Sequence, residues 1–317
     1  PTAFRIVAPL ALAAAVIQVT LGGVVRVTGS GLGCPDWPLC HGQLIPPMEL
    51  ETLIEYSHRL SAALLGVLVL ATFALGWRAY TRWRPATVSS ALALVLVVVA
   101  AILGGITVLT ELAWWGIVVH LAIAEALVAC LVVASAEGWI IGKGTDRGNH
   151  GSREPGGFRL LAAGALAGTF ALILAGSYMV GRGYGSSCAT WPLCREALLP
   201  EGEAYMVHML HRYVAAAAGV VVAAMAGWAW SRRDSRPDLV WPSLVVAGLF
   251  VLQTLMGAVT VWTGFAPALR SLHLMVATVT WASLVLVAYR ALSAGGPAAK
   301  LKEPSTEPVA SLGGGKP

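Results

Sequence analysis

Four histidines stand at repeating positions in a chain of 317 residues: His58 and His120 in the first half, His211 and His273 in the second, each 153 residues from its equivalent. His58 and His211 are each followed by an arginine, Arg59 or Arg212. Three residues before them stand Glu55 in the first half and His208 in the second. Upstream lie two cysteine pairs, Cys34 with Cys40 and Cys188 with Cys194, and both loops end on Trp-Pro-Leu-Cys, at 37–40 and 191–194. These residue types do chemistry. Imidazole ligates metals and moves protons near neutral pH. A carboxylate in apolar surroundings is a candidate for proton transfer. Paired thiols cross-link or exchange electrons.

The segments that must position them are apolar. The chain is 57% hydrophobic and 12% charged, where a soluble domain carries about 25% charged residues. Positions 6–25, 85–110, 160–180, 239–269 and 271–289 contain no charged residue. A helix needs roughly 20 apolar residues to cross the hydrocarbon core of a bilayer, so the sequence predicts an all-α polytopic membrane protein. Eight transmembrane spans are expected near 5–27, 54–77, 86–109, 114–138, 158–181, 205–230, 240–262 and 268–291. A membrane β-barrel alternates polar and apolar residues; these runs are continuous and exclude it. The first run is expected to be a span rather than a secretory leader, because further spans follow and no small-residue cleavage site is evident.

The net charge of +5, from 21 basic and 16 acidic residues, does not point to nucleic acid, because the basic residues sit in short connections. Arg78, Arg82 and Arg84 follow span two; Lys143, Arg147 and Arg153 follow span four; Arg232, Arg233 and Arg236 follow span six; Lys300 and Lys302 follow span eight. The positive-inside rule puts these connections and both termini in the cytoplasm, with the cysteine loops outside the cell (plasma) membrane. That compartment permits disulfides, and Pro35 and Pro38 bend the chain so that a six-residue separation can be bridged. Both pairs are read as loop staples, with a redox-active pair as the second reading for Cys34 and Cys40. A metal site there is disfavoured, because His41 has no counterpart: position 195 is arginine. Cys130, inside span four, reads as packing. Residues 139–157 read as a cytoplasmic linker, in which His150 is solvated, and 293–317 as a disordered tail.

The chain thus divides into two four-span units, 1–138 and 158–292. Gly104-Gly105-Ile106-Thr107-Val108 returns 153 residues later as Gly257-Ala258-Val259-Thr260-Val261. An even number of spans gives both units the same orientation, which predicts two four-helix bundles related by a pseudo-twofold axis along the membrane normal. In each unit the histidines fall on the second and fourth spans, about five residues or roughly 7 Å below the outward end. Two imidazoles at matched depth on different helices of one bundle can hold a heme iron from both sides. A lone intramembrane histidine is more often a helix–helix hydrogen bond; two equivalent pairs point to ligation. Zinc or copper fits less well, because no carboxylate or thiol completes a small coordination sphere in both units. His208 competes with His211 as a ligand, and the register, which sets His208 against Glu55, favours His211.

Arg59 and Arg212 read either as partners of outward-pointing heme propionates or as side chains snorkelling to lipid headgroups. Glu55 shares a helix face with His58, which puts a carboxyl beside the macrocycle in the first unit alone and suits it to proton transfer. The plainer reading is an interfacial glutamate that follows Glu49 and Glu51. Glu125, five residues past His120, points away from that histidine and is expected in helix packing or a proton path.

At these residues the chain resembles the heme A synthase family of eight-span membrane proteins. The likeness runs from Gly22 to about Tyr289 and includes Gly22-Gly23-Val24-Val25-Arg26-Val27-Thr28-Gly29-Ser30-Gly31-Leu32, the cysteine loop, Glu55-x-x-His58-Arg59 and the later histidines. The resemblance implies an oxidoreductase that converts a methyl group of heme O to the formyl group of heme A for cytochrome oxidase. It implies that His58 and His120, with Arg59, flank the substrate heme O, and that His211 and His273, with Arg212, hold a heme b cofactor. It gives Glu55 the protons released as the methyl carbon is oxidised, and gives Cys34 and Cys40 an assisting role at the first site. Implied partners are heme O, heme O synthase, cytochrome oxidase assembly factors and membrane lipid. Two other functions match part of the pattern. A bis-histidine diheme b-type cytochrome serving quinone uses all four histidines but gives Glu55 no task. A non-catalytic heme chaperone or exporter releases unmodified heme.

Overall fold

A computed structural model of the chain describes residues 2–80, 84–142 and 156–293. They form eight helices: α1 Thr2–Val27, α2 Leu50–Ala79, α3 Pro85–Leu109, α4 Trp114–Gly142, α5 Gly156–Gly181, α6 Glu203–Ser231, α7 Pro237–Trp262 and α8 Pro267–Ser293. All eight are long and apolar enough to span a bilayer, as the charge-free runs predict, and the chain is a multi-pass membrane protein. Inside hydrocarbon no water can bond the backbone, and a helix satisfies each N–H and C=O within its own segment. Proline opens α3 and α7, where its missing N–H has no intrahelical partner to lose. The linker residues 143–155, His150 among them, Arg82 and the tail from residue 294 lie outside the described residues.

The helices overrun the predicted spans by up to four residues, notably at the start of α2. There the loop supplies partners for an extra turn: Thr52 Oγ1 donates to the Gly33 carbonyl at 2.9 Å, and the Leu53 amide to the Glu49 carbonyl at 2.8 Å. Measured from the observed helix starts, the histidines lie further along their helices than the 7 Å expected. His58 is eight residues past Leu50 and His120 six past Trp114, or about 12 and 9 Å along their axes. His211 and His273 repeat both spacings from Glu203 and Pro267.

The helices pack as two closed rings. In the first, α1 touches α2, α2 touches α3, α3 touches α4 and α4 returns to α1; α5 to α8 do the same. The rings meet along a seam where α1 packs on α8, α4 on α5 and α4 on α8. These contacts are unchanged when each helix is exchanged for the one four places on. The seam is filled by Ala11 and Ala15 of α1, Leu127, Val128 and Leu131 of α4, Ile173 of α5, and Trp281 and Val285 of α8. Small residues bring the helices together, since lipid offers no hydrophobic drive and close van der Waals contact must supply the attraction. At Gly23 of α1, a Cβ would lie 3.0 Å from Leu274 of α8. α8 is the most enclosed helix, with 50% of its apolar window buried against 22–33% elsewhere.

The repeat continues into the loops. Disulfides join Cys34 to Cys40 and Cys188 to Cys194. Each loop carries a cis Trp–Pro bond, and His41 and Arg195 take equivalent left-handed conformations. The turns before α4 and α8 also match, with left-handed pairs Glu111–Leu112 and Gly264–Phe265. Gly264 adopts without steric cost what Glu111 adopts against its Cβ.

Candidate functional site

Each of the four histidines lies against a glycine on the preceding helix of its ring. A Cβ built on Gly22, Gly104, Gly176 or Gly257 would meet the Cε1 carbon of His58, His120, His211 or His273 at 3.2, 3.3, 3.6 and 3.2 Å. The imidazole fills the space a side chain would need, so it rests on the opposing helix backbone. Gly22 and Gly176 are 154 residues apart, like the cysteines, and Gly104 and Gly257 are 153 apart, like the histidines. Sequence reasoning found the second pair only as a marker of the repeat and missed the first; the shared offset was the signal.

Within each ring the two imidazoles stand on diagonally opposed helices, α2 with α4 and α6 with α8. The Nδ1 atoms of His120, His211 and His273 are buried with no hydrogen-bond partner among the described residues. His58 differs: Gln18 Nε2 lies 3.1 Å from its Nδ1 and donates to its carbonyl at 3.0 Å, while Ser61 Oγ donates to Gln18 Oε1 at 2.5 Å. In the second ring, Gln253 Nε2 lies 3.1 Å from Nε2 of His273. Neither glutamine repeats; their equivalents are Leu172 and Ala100. An unpartnered imidazole nitrogen is costly in an apolar medium, and a metal that takes its lone pair removes that cost. No cluster of three or more His, Cys, Asp or Glu suitable for a metal ion occurs among the described residues. Paired imidazoles without carboxylate or thiol suit a heme iron better than a bare zinc ion.

Glu55 is buried, with 5% of its surface exposed. Arg59 Nε donates to its Oε1 at 3.0 Å. The rest of the guanidinium turns to the cysteine loop: Nη1 donates to the carbonyls of Asp36 and Leu39, both at 2.7 Å, and Nη2 to that of Cys34 at 2.8 Å. Arg59 therefore couples the buried acid to the disulfide loop. In the second ring, Arg212 Nη1 donates to the Pro192 carbonyl at 2.8 Å, and its Nη2 is buried without a partner among the described residues. The acid is absent there: His208, also buried, faces Ser187 Oγ at 3.3 Å and the Phe265 ring.

The first loop has its own internal frame. Asp36 accepts from the amides of His41 at 2.6 Å and Gly42 at 2.8 Å. The Gly42 amide, followed by that of His41, holds the Asp36 carboxyl below the usual aspartate range. His41 Nε2 lies 2.9 Å from the Gly33 carbonyl. Trp37 lies on α3 at Gly105, where a Cβ would meet the indole at 2.7 Å.

Other candidates sit apart from the histidines. Glu125, fully buried, faces α8: Thr278 Oγ1 donates to its Oε1 at 2.7 Å and Trp281 Nε1 to its carbonyl at 2.9 Å. Glu137, which the sequence reading passed over, is also fully buried and accepts from the Tyr289 hydroxyl. Cys130 packs beside the seam. A groove between α7 and α8, lined by Pro237, Trp241, Val245, Leu286 and Arg290, includes none of the histidines.

An eight-helix membrane protein with two equivalent histidine pairs, and a buried acid one helical turn from a histidine in one ring alone, is a narrow class. The profile of the cytochrome oxidase assembly protein family (COX15-CtaA) matches residues 5–53, 48–205 and 201–312, and the chain belongs to that family. Its relatives include the heme A synthase of Alkalihalophilus pseudofirmus, 27% identical over 271 residues, which are 84% of this chain and 90% of that one. The heme A synthase of Geobacillus kaustophilus is 28% identical over 253 residues, 78% of this chain and 79% of its own. A protoheme IX farnesyltransferase of Thermus thermophilus is 30% identical over 308 residues, 91% of this chain but 48% of that protein.

Proposed function

We infer that the chain is an enzyme of heme A biosynthesis, a membrane oxidoreductase that converts the heme O methyl group to the formyl group of heme A. The observation that carries this reading is the asymmetry between two otherwise equivalent rings. Both seat a histidine pair on glycines, and one alone sets a buried carboxyl, Glu55, one helical turn from its histidine. Near full-length relatives that are heme A synthases supply the reaction.

The first unit, 1–138, is read as the substrate side. His58 and His120 hold the heme O plane, and Glu55 takes up protons released as the methyl carbon is oxidised. Arg59 keeps Glu55 in place, and Cys34 and Cys40 hold the loop that Arg59 grips. The second unit, 158–292, is read as the heme b side, with His211 and His273 as ligands and Arg212 beside them. When bound, heme iron would supply the redox chemistry; the chain supplies orientation, apolar surroundings and a proton acceptor. The two rings are read as related by a twofold axis along the membrane normal. The exchange-invariant helix contacts support this, as does the meeting of equivalent positions 125 and 278. Both termini are placed in the cytoplasm of a plasma-membrane protein with the disulfide loops outside, where thiols oxidise. The likeness to part of a protoheme IX farnesyltransferase supports a substrate handed over from a heme-farnesylating partner.

Co-expression with a heme O synthase, followed by chromatography of extracted hemes, tests the activity: heme A is expected. Glu55→Gln is expected to abolish heme A while the second ring keeps its heme. Undiminished heme A from that variant removes the catalytic role of Glu55. The equal seating of all four histidines favours a diheme electron carrier as the second reading, which predicts that heme O is recovered unaltered from the wild type.

A further inference from the structure

Two arginines from different rings reach the same short stretch of backbone, around Val180 and Gly185, at one end of the seam. Arg26 sits in the last turn of α1 and Arg270 in the first turn of α8. The Arg270 charge bears on Arg26, and neither forms an ion pair among the described residues. Arg26 Nη2 donates to the Val180 carbonyl near the end of α5, at 3.2 Å. Nη2 of Arg270 lies 3.6 Å from where a Cβ on Gly185 would stand. Both are half-buried. Like charges in a partly apolar setting repel and are poorly hydrated, so the arrangement favours an anion between them.

The helical register says where that anion comes from. Arg270 precedes His273 by three residues and therefore lies one turn outward, about 60° around α8. Ser271 and Leu274, which meet Gly23 of α1, lie further round in the same sense. Arg270 thus stands between the His273 face and the seam. Arg26 follows Gly22 by four residues and Gly23 by three, so it lies between the α1 face toward His58 and the face toward α8. Neither arginine repeats: the equivalents are Val180 and Ile117. Arg59 has already committed its donors to Glu55 and the loop.

We propose that Arg26 and Arg270 form a carboxylate clamp for the tetrapyrrole held by His211 and His273, so that the second unit's site is completed by a residue of the first. The proposal rests on the heme reading above. Two guanidinium groups match a carboxylate in charge and in donor geometry, and a heme ligated one turn below would direct its acid side chains outward to meet them. A phospholipid phosphate offers similar chemistry, and the test separates the two.

The full chain would be expressed under heme limitation in a His58→Ala, His120→Ala background, which leaves only the second histidine pair. The purified protein is then titrated with ferric protoheme and with its dimethyl ester, following the Soret band. The free acid is expected to bind about tenfold or more tighter than the ester, from charge-assisted hydrogen bonds. Arg270→Gln and Arg26→Gln should each erase most of that preference while ester affinity, which reports the fold, stays unchanged. Arg270→Lys should recover part of it. Equal binding of acid and ester by the parent protein overturns the clamp alone. Uptake of neither form overturns the clamp and the heme reading together. An undiminished preference in both glutamine variants, with loss of co-purified anionic phospholipid, assigns the arginines to lipid and overturns the clamp.

Discussion

A glycine opposite each histidine makes the imidazole position sensitive to a single methyl group. At Gly257 a Cβ would lie 3.2 Å from the His273 ring, closer than ordinary contact, whereas at Gly176 it would lie 3.6 Å from His211. Gly257→Ala is therefore expected to push the ring by a few tenths of an ångström, at an overpacking cost of about 1–3 kcal/mol. Gly176→Ala is expected to be tolerated. Low-temperature EPR of the oxidised heme, read alongside thermal unfolding, checks the contrast: g-values should move in the first variant and not in the second. The histidines, Glu55 and the cysteines were legible because their types are rare in apolar runs and their spacing repeats. Gln18 and Gln253 were not, because neither repeats, and which histidine each reaches depends on how neighbouring helices turn their faces to one another.

The first disulfide loop is held by side chains that cap backbone rather than by a core of its own. Arg59 makes three bonds to loop carbonyls and one to Glu55, while Arg212 makes one to its loop. Arg59→Ala strands a buried carboxyl and is expected to cost about 3–5 kcal/mol; Arg212→Ala should cost about 1 kcal/mol. Thermal unfolding in detergent compares them. Asp36 adds a pH dependence. Its carboxyl, held below the usual range by the Gly42 and His41 amides, contributes stability above its unfolded pKa and loses it as pH falls through the lower folded value. The loop is thus expected to stay ordered at neutral pH and to loosen only below about pH 4. Amide exchange at His41 and Gly42 is the measurement, and Asp36→Asn should show the loosened state at every pH. Helix positions were readable from the missing charges, but the extra first turn of α2 was not, because Gly33 and Thr52 create it only after the loop has folded back.

At the scale of the whole molecule, the rings are joined by packing and by buried hydrogen bonds to Glu125 from Thr278 and Trp281. Thr278→Val leaves Glu125 Oε1 without its donor and is expected to cost about 1–3 kcal/mol. The double change Glu125→Leu with Thr278→Val removes both polar groups and should recover much of that loss, as unfolding temperatures would show. Ring order was beyond the sequence, since a repeat of four spans fixes orientation but not which helices touch. Positions 125 and 278 are equivalents, 153 residues apart, and they touch each other. In an ancestral pair of identical four-helix chains, that contact would have set a residue against its own copy: two carboxyls confronting each other, or two hydroxyls. A matched acid and alcohol cannot be encoded by one short gene. The pair requires two halves whose sequences have diverged at equivalent positions.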